Sequence, residues 1–270
     1  MDENLFIDAK NVFLDTVNAD EYIHLERISI LYDSLKKSIL KPLKMVLLYG
    51  KPGTGKSMFL SKLYKDLVTS EMVFFYKTPI LDESEFFKIL AQDILGVRYE
   101  DTLNFTHFMK IMSTKNLQST PIILLDEAQL YPNTLMEKIR LLSDTRSVKF
   151  VIALHKTHKE DLIAKEHFQT RIWESIELKN ATISEQGIYI QKKLLRANCY
   201  DVAHMFDKSS LKLIYQLTYG NYRTTHKLLF TLFEIYILYI QQNKKNKFSK
   251  TKISKKFIEM AAIHLGLIRG

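Results

Sequence analysis

Residues 50–57 read Gly-Lys-Pro-Gly-Thr-Gly-Lys-Ser, which fits the phosphate-binding pattern G-x-x-x-x-G-K-[ST]. Few short motifs constrain a fold as tightly, because this one works only between a strand and a helix. Both flanks are legible. Met45-Val46-Leu47-Leu48-Tyr49 is an apolar run of strand length, and Met58-Phe59-Leu60-Ser61-Lys62-Leu63 carries a helical pattern. Gly50, Gly53 and Gly55 lack a Cβ, so the backbone can curl and turn successive N–H groups inward. Those amides and the positive end of the following helix hold a polyphosphate. Lys56 is expected to meet the β- and γ-phosphates, and the Ser57 hydroxyl to bind Mg2+. The expected contact set is Gly50, Lys51, Pro52, Gly53, Thr54, Gly55, Lys56, Ser57 and Met58. The competing reading is a chance glycine-rich turn, and the flanking strand and helix argue against it.

A second run sharpens the first. Residues 121–129 read Pro-Ile-Ile-Leu-Leu-Asp-Glu-Ala-Gln. Ile122–Leu125 has the look of a buried strand, with Asp126 and Glu127 at its C-terminal end, where open α/β sheets bind ligands. Asp126 is the expected Mg2+ partner, directly or through water. Glu127 is placed to polarise an attacking water as general base. Alone, two carboxylates at a strand end are as readily a helix cap or solvated surface. Behind a phosphate loop in the same chain, the functional reading is preferred.

The rest of the chain alternates. Strands are expected at Met72–Tyr76, Phe150–Leu154 and Glu174–Leu178, with helices at Phe86–Leu95, Phe105–Met112 and Met136–Leu142. Strands separated by helices imply a parallel sheet covered on both faces. Residues 1–44 look mainly helical, with Tyr22-Ile23-His24-Leu25 and Ile28-Ile30-Leu31-Leu35 on one helix that Pro42 ends. After Leu178 no strand pattern recurs. Thr182-x-x-Glu185 reads as a capping box opening a helix through Leu195; Ser209–Leu217, Arg223–Gln241 and a stretch through Phe257 and Ala261 follow. The expected organisation is a helical linker over 1–44, a nucleotide-binding α/β/α domain over 45–178 and an all-helical lid over 179–270.

Composition sets bounds. With 270 residues, 46% of them hydrophobic, the chain can bury a substantial core. A single cysteine, Cys199, excludes an internal disulfide and a cysteine-rich zinc cluster. The N-terminus has no signal-peptide shape, and the apolar run Leu228–Ile240 is too short for a membrane span. A cytoplasmic protein is expected. Net charge is +9, which favours an acidic partner weakly. Seven lysines fall within 244–256 (Lys244, Lys245, Lys247, Lys250, Lys252, Lys255 and Lys256), with Phe248 among them. That run is either a DNA-phosphate contact or a solvated connector.

Taken together, the phosphate loop, the Asp-Glu strand and the helical lid resemble the AAA+ ATPases, a three-layer P-loop NTPase fold. Tyr22-x-x-Leu25-x-Arg27, Gly53–Ser57, Leu124–Gln129, Arg171-Ile172 and Gly220-x-x-Arg223 are similar to the general-secretion-pathway protein A (ExeA-like) branch. That branch adjoins TniB-type transposition ATPases and replication initiators. The resemblance implies that Tyr22 and Ile23 lie against adenine. It makes His155, after the fourth strand, the sensor 1 residue and Arg223 sensor 2. It makes Arg171 a finger acting on a neighbouring subunit's nucleotide. Each has a plainer reading: a solvated histidine, a surface arginine, or an arginine bracing the fifth strand.

The implied function is hydrolysis of ATP with Mg2+ by an ATP-promoted homo-oligomer. Its partners would be the protein components of a secretion, pilus or DNA-uptake apparatus, with peripheral membrane association through them. One alternative is a DNA-associated regulator of transposition or replication. Another is a nucleotide-dependent scaffold with negligible turnover. Members of the secretion branch often continue into a membrane span that is not expected here. The helical segment after Leu178 is also too short for the second domain of a DEAD/DEAH-type helicase.

Overall fold

The computed structural model describes residues 3–42, 44–99, 102–115, 117–155, 172–242 and 252–268. Strands β1 (Met45–Gly50), β2 (Val73–Tyr76), β3 (Ile122–Leu125), β4 (Lys149–His155) and β5 (Ile172–Leu178) pair in parallel, in the order β2-β3-β4-β1-β5. Parallel neighbours need crossovers, and helices supply those described: α3 (Lys56–Leu67), α4 (Glu83–Leu95), α5 (Phe105–Thr114) and α6 (Asn133–Asp144).

The strands read as continuous apolar runs because both faces are buried. Alternate residues serve opposite cores. Met45, Leu47, Ile123, Leu125, Phe150 and Ile152 join α4, α5 and α6 on one face. Val46, Leu48, Ile122, Leu124, Val151 and Ala153 join α3 and α2 (Glu26–Leu40) on the other. A one-residue slip of any strand would exchange these sets, so packing pins the register.

The topology matters for the site. Strand β4 lies between β1 and β3, so the end of β4 sits between the phosphate loop and Asp126. Gly50 pairs in register with His155, and Leu125 pairs with Ile152.

The C-terminal helices are α7 (Ile183–Arg196), α8 (Tyr200–His204), α9 (Lys208–Thr218), α10 (Tyr222–Gln242) and α11 (Lys255–His264). The capping box is present: Thr182 Oγ1 accepts from Glu185 N, and Glu185 Oε2 accepts from Thr182 N. The N-terminal helix α1 (Glu3–Asn11) packs into this core rather than onto the sheet. Phe6 stacks on Tyr236 with ring centroids 4.5 Å apart, and Phe13 meets the His226 ring edge-on at 5.5 Å.

One sequence expectation is overturned. Tyr22–Leu25 is extended, and α2 begins only at Glu26. The reason is competition for carbonyls. Arg196 Nη1 donates to Tyr22 O at 3.1 Å and Lys192 Nζ to His24 O at 2.9 Å, contacts a helix would have claimed for itself. Next to Lys192, Lys193 Nζ donates to Val12 O at 2.8 Å and Glu21 Oε2 at 3.0 Å. Helix α7 thus fastens the whole 12–24 segment as a strap. The short helix α8 also went unread in the sequence. Among the described residues no helix is long and apolar enough to cross a membrane.

Candidate nucleotide site

The loop after β1 turns sharply into α3, and two glycines are required for it. A Cβ on Gly50 would stand 2.3 Å from Leu178 O of the neighbouring strand. Gly53 has φ +78°, in the region L side chains rarely adopt, and its Cβ would stand 2.4 Å from Asn221 Oδ1. That second contact shows how close the helical domain comes. Asn221 Nδ2 donates to Pro52 O at 2.8 Å, and Tyr222 N donates to Gly53 O at 3.1 Å. The first turn of α10 is docked on the loop itself.

Lys56 is 4% exposed, and its Nζ donates to the loop carbonyls of Gly50 at 3.1 Å and Lys51 at 3.3 Å. Burial pulls its pKa below the usual lysine value, while Glu127 and Asp126 oppose that shift. Asp126 is also buried, at 4% exposed, and burial pushes its carboxyl pKa up. Hydrogen bonds from the Ser57 hydroxyl and from Glu127 N, the latter at 2.9 Å, partly offset this. The two residues assigned to Mg2+ from the sequence are therefore in contact. Their chemistry fits that ion, which takes hard oxygen ligands and commonly only one or two from protein. Among the described residues no group of three or more His, Cys, Asp or Glu is placed to hold a metal.

Glu127 adopts φ 49°, an unusual left-handed conformation for a residue with a side chain. Its Oε2 faces His155 Nε2 at 3.2 Å and accepts a hydrogen bond from Gln129 Nε2. Gln129 Oε1 in turn accepts from His155 N at 3.3 Å.

Lys56, Ser57, Glu127 and His155 share one cleft of about 990 Å³, its open mouth included. The phosphate loop, Glu127, His155 and Arg223 line one part. Tyr22, Ile23, Tyr189, Tyr222 and His226 line another. The Tyr22 and Tyr222 hydroxyls are buried without a hydrogen-bond partner among the described residues, and burial pushes the Tyr222 pKa up to about 12. Unsatisfied buried hydroxyls in a cleft fit a site that takes a polar ligand. Arg223 Nε lies 3.5 Å from Asp15 Oδ2 of the strap.

The structure thus brings together Lys56, Ser57, Asp126, Glu127, His155, Arg223, Tyr22 and Ile23. Lys51 and Pro52 sit at the exposed rim of the loop. Arg171 lies outside the described residues, as do Lys244, Lys245, Lys247 and Lys250. Sequence reasoning gave no role to Gln129, Tyr222, Asn221, Asp15 or His226. Gln129 was within reach, since it closes the quoted run Leu124–Gln129, whereas Asn221 and Tyr222 fill the two unread positions of Gly220-x-x-Arg223.

Residues 41–162 match a family model described as AAA domain. Several solved structures share the fold across most of the chain. An ORC1 protein of Aeropyrum pernix, solved in complex with DNA, is 16% identical with a TM-score of 0.64, covering 95% of this chain and 69% of that one. CDC6P from Pyrobaculum aerophilum is 14% identical with a TM-score of 0.67, covering 97% and 72%. The RUVB Holliday junction branch migration motor of Thermotoga maritima is 18% identical with a TM-score of 0.56, covering 94% and 73%. No curated protein sequence matches the chain. The chain has the P-loop AAA+ fold, a parallel sheet between helical layers followed by a helical domain. None of these likenesses singles out the general-secretion-pathway protein A branch.

Proposed function

We propose that this chain binds Mg-ATP in the cleft and hydrolyses it, and that this cycle works a switch on DNA of the transposition or replication kind. The ATP reading rests above all on Ser57 bonding Asp126 while Ser57, Lys56 and Glu127 line one cleft. Lys56 exchanges its two loop carbonyls for β- and γ-phosphate oxygens. Ser57 and Asp126 hold Mg2+, which when bound neutralises phosphate charge. Glu127 takes a proton from the attacking water. His155 is the sensor 1 group at the γ-phosphate end, and Arg223 reaches the phosphates from the helical domain. Tyr22 and Ile23 lie against the base. Arg171 acts on a neighbour's nucleotide, so ATP promotes self-association.

The DNA reading is supported by the fold shared with an ORC1 protein solved on DNA and a branch migration motor, and by the +9 charge. No observation favours the secretion apparatus, so it moves to second place. Two measurements test the proposal. Calorimetry should find ATP binding to wild type and none to Lys56→Ala; equal affinities overturn the site. Fluorescence anisotropy with a labelled duplex should show salt-sensitive binding. No binding at low salt, with and without ATP, overturns the DNA reading and points to a protein partner or a scaffold.

A further inference from the structure

Gln129 follows the two carboxylates by only two positions, yet nothing in the phosphate-loop chemistry assigns it a task. Its amide is held at both ends. His155 N is a backbone N–H, which can only donate, and it points at the Gln129 side chain at 3.3 Å. The atom facing it must be the amide oxygen. The NH2 end is therefore turned away from β4 and toward Glu127, where Oε2 accepts it. The amide cannot flip without setting donor against donor at one end and acceptor against acceptor at the other.

The same Glu127 oxygen also receives His155 Nε2 at 3.2 Å. The Gln129 hydrogen bond and the His155 contact thus fall on the same carboxylate oxygen, Oε2. His155 closes β4, which runs between the phosphate-loop strand and the Asp126 strand, and it pairs with Gly50 in register. Gln129 thus ties the Glu127 carboxylate to the strand end beside the phosphate loop. The Glu127 backbone is held in a left-handed conformation, so its side chain leaves the chain at a fixed, unusual angle. Rotation about the side-chain bonds remains, and the Gln129 amide removes it.

We propose that Gln129 is a positioning residue: it clamps one oxygen of Glu127 so that the other is presented to the attacking water. The inference rests on the hydrolysis reading above. Gln129 touches neither nucleotide nor metal in this scheme and acts only through Glu127. Misplacing a reacting group by about 1 Å costs on the order of 100-fold in rate, so loss of the clamp should act on turnover and spare binding.

The test is a double-mutant cycle on the full chain. Gln129→Leu keeps approximate size and removes both hydrogen bonds. It should lower kcat about 10- to 100-fold, with KM, calorimetric ATP affinity and Tm near the wild-type values. In a Glu127→Gln background the same substitution should change the residual rate less than about two-fold, because residues acting as a unit do not add. Gln129→Glu sets a second carboxylate against Glu127 and should lose at least as much.

Wild-type kcat for Gln129→Leu overturns the proposal. So does an equal fold-loss in both backgrounds, which would make Gln129 merely structural. The wild-type rate reports on the hydrolysis reading separately. If the wild type turns over and Glu127→Gln does not, that reading stands whatever Gln129 does; if the wild type does not turn over, both fall.

Discussion

Arg223 at the start of α10 faces Asp15 of the N-terminal strap across 3.5 Å, and both side chains line the nucleotide cleft. The pair joins the two ends of the chain at the point where anionic phosphate is expected. Both partners are about half exposed, with side-chain exposures of 53% and 54%, so solvent screening keeps the pair weak, below about 1 kcal/mol.

Asp15 then competes with phosphate for one arginine and repels the phosphate tail. We predict that Asp15→Asn tightens ATP binding about two- to five-fold and ADP binding less. Calorimetry with each nucleotide measures this. Unchanged or weaker ATP binding would show that the pair plays no part at the site.

Gly53 is a tighter constraint. It combines φ +78° with a Cβ position 2.4 Å from Asn221 Oδ1 and 2.9 Å from Arg223 Cβ. Gly53→Ala should push α10 off the loop, lower stability by roughly 1–3 kcal/mol and abolish tight nucleotide binding. Gly96 supplies the control: its φ is +67°, but nothing lies within 4 Å of its Cβ position. Gly96→Ala should cost about 1 kcal/mol and leave binding intact. Thermal denaturation and nucleotide titration of the two variants separate strain from docking. Equal nucleotide affinity in both would refute the docking role.

The buried Asp126 carboxyl carries a cost when no cation is present. Its pKa is raised by burial, so its protonated form stabilises the fold and that contribution is lost as pH rises through the raised value. At neutral pH the ionised group is destabilising until Mg2+ and nucleotide arrive. Asp126→Asn should therefore raise Tm by a few degrees in buffer with EDTA. The same variant should lose most of the Mg-ATP-dependent rise in Tm that the wild type shows. A lower Tm in EDTA would mean that the hydrogen bonds outweigh the burial cost.

His226 is the acid-sensitive point where the strap meets α10. Burial first, and Lys193 second, depress its pKa from 6.5 to about 4. Tyr189 Oη lies 2.8 Å from its Nε2, and the Leu14 backbone accepts from the ring. A depressed pKa means that the fold favours neutral imidazole. The associated stability is present above pH 6.5 and is lost as pH falls through about 4. The full contribution is on the order of 3 kcal/mol. His226→Gln should show a shallower fall in Tm between those limits than wild type. Parallel curves would assign acid sensitivity elsewhere.

What the sequence determined by itself is local. The phosphate loop is legible because its eight residues must be contiguous to wrap one polyphosphate. The strands from Met45, Ile122 and Phe150 are legible because burial on both faces demands unbroken apolar runs. The Thr182–Glu185 capping box closes within a single helical turn. The tertiary structure decided everything that depends on contacts distant in the chain. The placement of β4 between β1 and β3 brings His155 to Glu127, and no local pattern specifies strand order. Tyr22–Leu25 has a helical apolar pattern, yet Lys192 and Arg196 take its carbonyls and hold it extended along the cleft. Helix α1 belongs in sequence to the linker before β1, yet Phe6, and Phe13 just after it, pack against α10. The pairing of Asp15 with Arg223 is invisible in sequence because an ion pair needs only proximity, which packing summed over the whole chain creates.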